Sequence, residues 1–340
     1  MKTSRSYRLL LALGVLVGRD ARRPLPAQHD PAHHSPVAGY QVIHGWPVLP
    51  EGEMLGIVSA VAVDSHNHVF VFDRRERAWP SSDTLATTPI EGATVRVFDG
   101  RTGIRLKEWG PRTFALPHSI SIDASDNVWL TDVALHQVYK YSHDGVLLLT
   151  LGERGVPGDD SAHFNRPSGV VAAPDGSFFV SDGYGNNRVM AFAPDGRFLF
   201  QWGGKGQGPG QFDLPHGIAR DDAGLLYVSD RSNGRVQVFD ARGHYLREWK
   251  SRALASPNNV AITRDGTALV VDDGGKDIVR DRSGIVVLAL DGSFLGRFGR
   301  YGNYDGQFVS VHGVAVAPDG AVYVADADGR RVQKFIHRRP

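Results

Sequence analysis

The sequence predicts an all-β fold, a six-bladed β-propeller, and three observations carry that prediction. Short runs with apolar residues at alternate positions are separated by Asp-Gly, Asn-Gly and similar pairs, the pattern of antiparallel strands joined by tight hairpins. The pattern recurs as six copies of roughly 40 to 60 residues, each with room for four strands. Every copy opens on a related signature: IVSAV at Ser59, LPHSI at His118, RPSGV at Ser168, LPHGI at His216, SPNNV at Asn258 and SVHGV at His312. Ankyrin and TPR arrays have shorter, helical periods and are excluded.

The chain begins differently. Basic residues in MKTSRSYR precede the apolar run LLLALGVLVG, and a proline-rich stretch with a small residue at Ala27 follows, so residues 1–27 are expected to be a secretory signal peptide. The apolar run is about half of what a transmembrane helix needs. RDARR directly after it is unusual for a signal, and the alternative is an extension with a chance apolar patch. Residues 28–39 read as a flexible leader in which His33 and His34 carry no function. The expected location is outside the cytoplasm, secreted or periplasmic.

The propeller is expected over 40–338, with blades opening near Leu55, Leu116, Asn165, Leu214, Ala255 and Val309. The last copy has only about three strands before the chain ends. The strand-like run YQVIHGWPV (40–48) is expected to supply its outer strand and so close the ring, leaving no open edge. Basic and acidic residues number 38 and 37, a net charge of +1, so no nucleic-acid surface or polybasic membrane patch is indicated. The absence of cysteine excludes disulfides and thiolate ligands. A monomer is expected.

Two repeat positions carry chemistry. In a propeller the first strand of each blade lines the central channel, so His118, His216 and His312, in alternate blades, stand about 120° apart around the axis. With 14 histidines in 340 residues, an alternating triple at a fixed position arises by chance about once in several thousand trials, or several hundred after allowing for the choice of position. Three imidazoles with an open fourth position form a catalytic zinc arrangement, whereas structural zinc sites are closed by four protein ligands. Every second strand ends in Asp: Asp73, Asp132, Asp182, Asp230, Asp272 and Asp326. An acid repeated in all six blades reads as a structural cap on backbone groups. Arg74, Tyr184 and Arg231 follow three of these aspartates, where ligand-orienting groups belong. Each taken singly also reads as an ordinary turn residue.

The run LPHSISIDASDNVWLTDVALHQVYK (116–140) resembles the equivalent segment of peptidyl-α-hydroxyglycine α-amidating lyase, the second catalytic half of the peptide-amidating enzyme, and FVSDGYGNNRV, QFDLPHGIA and VSDRSNGRVQ look like its later blades. LTDVALHQV is the most specific stretch; the PHG and DG repeats alone match many NHL-repeat propellers. His136 within it occupies a slot where other blades have Arg and reads as a hairpin residue.

The resemblance implies zinc at His118, His216 and His312, Tyr184 as catalytic base, and Arg74 and Arg231 as active-site arginines. It also implies a calcium ion held by the backbone carbonyls of Val61 and Ile120 and by an aspartate at a position that here is Gly313, so calcium lacks its one acidic ligand. Ser310 stands where the family has methionine, and Gly185 where the animal enzymes have a bracing cysteine.

The implied reaction is cleavage of a hydroxyglycine-terminated peptide, or a small molecule with a terminal carboxylate, into an amide and glyoxylate. The substrate would come from a separate hydroxylating enzyme. Two other readings stay open: a lyase or hydrolase for another carbinolamide-like compound such as a ureido acid, and a non-catalytic propeller that binds protein or glycan.

Overall fold

The computed structural model describes residues 39–80, 84–274 and 283–337, so the expected signal peptide and nearly all of the leader lie outside the described residues. Its strands form six four-stranded antiparallel sheets. Blade 1 comprises β2 (Val58–Val63), β3 (His68–Asp73), β4 (Val95–Asp99) and β5 (Arg105–Trp109). Blade 2 comprises β6 (Pro117–Ile122), β7 (Val128–Asp132), β8 (Gln137–Tyr141) and β9 (Leu147–Leu151). β10 (Gly169–Ala172) to β13 (Phe198–Gly203) form blade 3, β14 (Pro215–Arg220) to β17 (Tyr245–Trp249) blade 4, and β18 (Pro257–Ile262) to β21 (Phe294–Phe298) blade 5.

Blade 6 has the expected mixed origin. β22 (Val311–Val316), β23 (Val322–Asp326) and β24 (Arg331–His337) come from the end of the chain, and β1 (Tyr40–Ile43) pairs antiparallel with β24 as its outer strand. Tyr40 seals the join by stacking on Phe298 of blade 5 at 4.4 Å between ring centroids.

The core is divided among the blade interfaces. Successive side chains of a strand point to opposite faces of its sheet. Along β15 (Leu226–Asp230), Leu226 and Val228 accordingly pack with blade 3 while Tyr227 packs with blade 5. Among the described residues an apolar cluster fills each of the six interfaces, including that between blades 6 and 1. That distribution holds the first strands in a closed ring around the axis.

The repeated aspartates do the structural work expected of them. Asp132 accepts the N–H groups of Ala115, Leu116, Ala134 and Leu135, tying the entry of the first strand to the exit of the second. Asp230 and Asp326 make the same tie and also take the guanidinium of Arg235 or Arg331. His136 sits in the turn after β7 at φ 57°, its Nδ1 accepting the Arg166 N–H, which agrees with its reading as a hairpin residue.

Candidate metal centre and active site

Each histidine of the triad is the second residue of its blade's first strand, and there the pairing with the second strand slips. The register shifts between Pro117 and Ile120, between Pro215 and Gly217, and between Val311 and Gly313. A β-bulge of this kind can re-aim a side chain, and the three imidazoles converge beside it. Their ring centroids stand 4.7, 5.0 and 5.0 Å apart.

The non-histidine copies of the repeat position have a role that the sequence does not disclose. His118 Nδ1 lies 2.6 Å from the carbonyl oxygen of Ser168, His216 Nδ1 2.7 Å from that of Asn258, and His312 Nδ1 2.5 Å from that of Ser59. A carbonyl only accepts, so each Nδ1 carries the proton and each Nε2 presents a lone pair to the axis. Burial, with the neighbouring imidazoles and arginines, holds His118 and His216 well below the ordinary imidazole range. His312 is pushed down to about 3, chiefly by burial and then by Arg74.

Tyr184 reaches the same point from blade 3. Its hydroxyl is 2.7 Å from His216 Nε2 and 3.0 Å from His118 Nε2. The backbone can bring it there because Gly183 and Gly185 flank it: a Cβ on Gly183 would stand 1.9 Å from the Pro215 oxygen, and one on Gly185 2.1 Å from Asn165. Three Nε2 lone pairs thus converge where one hydroxyl proton is within reach of two of them. A transition-metal cation would satisfy all three, and the nitrogen-only donor set fits one.

The chain carries NHL repeats at residues 164–192, 212–239 and 308–335. It is 35% identical over 83% of its length to peptidyl-glycine alpha-amidating monooxygenase B of Xenopus laevis, of which it spans 34%. It is 31% identical to the human NHL repeat-containing protein 3, covering 87% of this chain and 84% of that one. With peptidyl-alpha-hydroxyglycine alpha-amidating lyase 2 of Drosophila melanogaster it shares 31% identity over 86% of this chain and 73% of that protein. The chain belongs to the peptidyl-α-hydroxyglycine α-amidating lyase family.

The two arginines of this lyase-family site differ in what they hold. Arg74 is 4% exposed; its Nε donates to the Pro117 carbonyl at 2.6 Å, and its Nη2 is buried without a hydrogen-bond partner. Arg231 is engaged instead: Nη2 pairs with Asp273 at 3.1 Å and Nε faces the Ser256 hydroxyl at 3.3 Å. Asp273 went unnoticed in the sequence, although it occupies in blade 5 the slot after the strand-end aspartate that Arg74 and Arg231 fill in blades 1 and 4. Trp79, from the β3–β4 connection, lies over Tyr184 at 4.6 Å between ring centroids and over the Arg74 guanidinium at 5.4 Å.

The protein's own groups do not lower the Tyr184 pKa. Burial pushes the phenol up, and the opposing pull of Arg231 and Arg74 does not overcome it. A cation held by the three imidazoles would supply the missing charge. Where the family's calcium aspartate would stand, Gly313 faces blade 1: its Cβ would lie 3.5 Å from the Val61 nitrogen and 3.2 Å from the Ala60 Cα. Glycine there adds no oxygen side chain to the Val61 and Ile120 carbonyls that the resemblance assigns to calcium.

Proposed function

We propose that this protein is a zinc-dependent lyase that cleaves the N–Cα bond of a carbinolamide, peptidyl-α-hydroxyglycine, to give a peptide amide and glyoxylate. The observation that carries the reading is the Tyr184 hydroxyl within hydrogen-bond reach of two of three converging Nε2 atoms. His118, His216 and His312 would hold zinc, which as a Lewis acid supplies stabilisation of the developing alkoxide and lowers the pKa of the neighbouring phenol.

The protein's own groups do the rest. Arg74, with its buried and unpartnered Nη2, takes the substrate carboxylate, and Arg231, oriented by Asp273, completes the positive wall. Tyr184 as phenolate removes the hydroxyl proton. The O–H electron pair forms the aldehyde C=O of glyoxylate, the C–N pair leaves with the amide nitrogen, and the proton on Tyr184 passes to that nitrogen. No oxidant or water is consumed. Trp79 covers the phenol and limits access of solvent to it.

A separate hydroxylating protein would install the substrate hydroxyl, and the residues at 1–27 would direct export. The full chain, purified with its metal measured, should release glyoxylate from an N-acyl-α-hydroxyglycine. Release from ureidoglycolate instead would redirect the assignment to another carbinolamide, and a metal-loaded protein inactive on both would sink the lyase reading.

A further inference from the structure

The hairpin that joins β2 to β3 contains Asp64-Ser-His-Asn-His68, at the end of blade 1 opposite the loop that carries Arg74 and Trp79. In three blades an aspartate opens this hairpin, and one of its oxygens serves the backbone. Asp64 Oδ1 accepts the N–H groups of His66 and His68, as Asp123 Oδ1 accepts those of Ser125 and Asn127.

The second oxygen distinguishes blade 1. In blade 2 it is capped by the Trp129 indole N–H and the Asn127 amide, and in blade 4 by the Tyr227 hydroxyl. The residue six beyond Asp64, where those blades have Trp129 and Tyr227, is Phe70, which has no donor. Asp64 Oδ2 instead meets two imidazoles, His68 Nδ1 at 2.8 Å and, from the β8–β9 turn of blade 2, His143 Nε2 at 2.9 Å. Permanent donors have been exchanged for two groups that can give up a proton to a metal.

We propose that Asp64, His68 and His143 form a second zinc site that clips blade 1 to blade 2. The three ligand atoms already lie within 4.8 Å of one another. Placing the ion requires the N–O pairs to widen by roughly 0.5 Å toward tetrahedral separations.

The surroundings suit a cation. The Asp64 side chain is fully buried, while those of His68 and His143 are 28% and 31% exposed, so a fourth position faces water. Lys107 does not oppose it directly: its ammonium donates to the His143 carbonyl at 2.7 Å and pairs with Asp144 at 2.9 Å, on the Nδ1 side of the ring. His66 stacks beside His68 at 5.8 Å and pairs with Asp126 at 3.4 Å. The proposal does not depend on the lyase reading.

The test uses the full chain, stripped of metal by a chelator and dialysed against zinc. With His118, His216 and His312 all changed to Gln, the protein should still hold about one equivalent and melt higher with zinc than without. Adding His68→Gln and His143→Gln, which keep a donor for Asp64, should abolish both effects. Should the first variant misfold by circular dichroism, the same two substitutions in the otherwise unaltered chain should lower bound zinc from about two equivalents to about one. A folded triad-less protein that binds no zinc, or zinc content indifferent to His68 and His143, would overturn the site. Failure of glyoxylate release alone would overturn the lyase reading and leave the zinc count unchanged.

Discussion

Replacing Tyr184 by Phe removes one atom from the point where the three blades' histidines meet, and its consequences can be worked out separately for chemistry, metal and fold. The ring keeps its place against Trp79 and against the Leu85, Leu116 and Leu135 cluster. The lost hydroxyl has one proton to share between His216 Nε2 at 2.7 Å and His118 Nε2 at 3.0 Å, so at most one hydrogen bond is lost at a time. A net bond of this kind contributes about 1 kcal/mol, so the fold survives. Loss of a general base lowers turnover by roughly two to four orders of magnitude, which corresponds to about 2.7–5.5 kcal/mol of barrier. KM should change little, because the carboxylate contact proposed for Arg74 is untouched. The assay is glyoxylate release from an N-acyl-α-hydroxyglycine, with zinc measured in the same preparation. Turnover within about threefold of wild type at equal zinc would refute the assignment of Tyr184 as base.

Changing His216 and His312 together to Ala should remove roughly one equivalent of metal, measured by elemental analysis. Arg74→Lys should raise KM by about 10- to 100-fold with kcat less affected, since an ammonium cannot make two parallel bonds to a carboxylate; steady-state kinetics checks the split. In the metal-free protein the triad should make stability fall on acidification. The folded imidazoles have depressed pKa values, so below the unfolded value of 6.5 only the unfolded chain takes up their protons. Each contributes a loss of about 1.4 kcal/mol per pH unit, continuing for His312 to about pH 3. Denaturant titrations at pH 7 and pH 5 should therefore show a smaller drop when the three are changed to Gln.

The blade plan was legible because burial between two neighbours imposes a period-two apolar pattern on every strand and the hairpins require their own turn residues. The ring closure could be read from the missing fourth strand of the last copy. The triad was visible because a position repeated around an axis converts spacing in sequence into angle. Asp273 was not visible, because its meaning depends on Arg231 in the preceding blade. Trp79 was hidden in a loop whose course no periodicity fixes. The Asp64 cluster escaped for a similar reason: His143 lies 79 residues from Asp64 and comes from another blade, and neither hairpin has a pattern of its own that points to the other. The arginine charges that bear on the Tyr184 phenol can be read from sequence, whereas the depth of burial that outweighs them cannot.

The alternation of histidine with smaller residues follows from geometry. An equilateral triangle of ring centroids with sides of 4.7 to 5.0 Å has its corners about 2.8 Å from the axis, the side divided by √3. Six imidazoles on that circle would stand only about 2.8 Å apart, well inside the roughly 3.5–4.0 Å at which carbon atoms make contact. Six blades therefore admit three histidines at one height, and the intervening positions must keep their side chains off the axis. Ser59, Ser168 and Asn258 do so while lending their carbonyls to the neighbouring Nδ1 atoms. The aspartates face no such limit, since each acts inside its own blade, and they occur in all six. Side chains that meet at the axis from this repeat position are thus restricted to alternate blades, and those that close a strand exit are not. A histidine introduced at Ser168 would accordingly displace Tyr184 or its neighbours rather than add a fourth ligand, and should lower metal content instead of raising it.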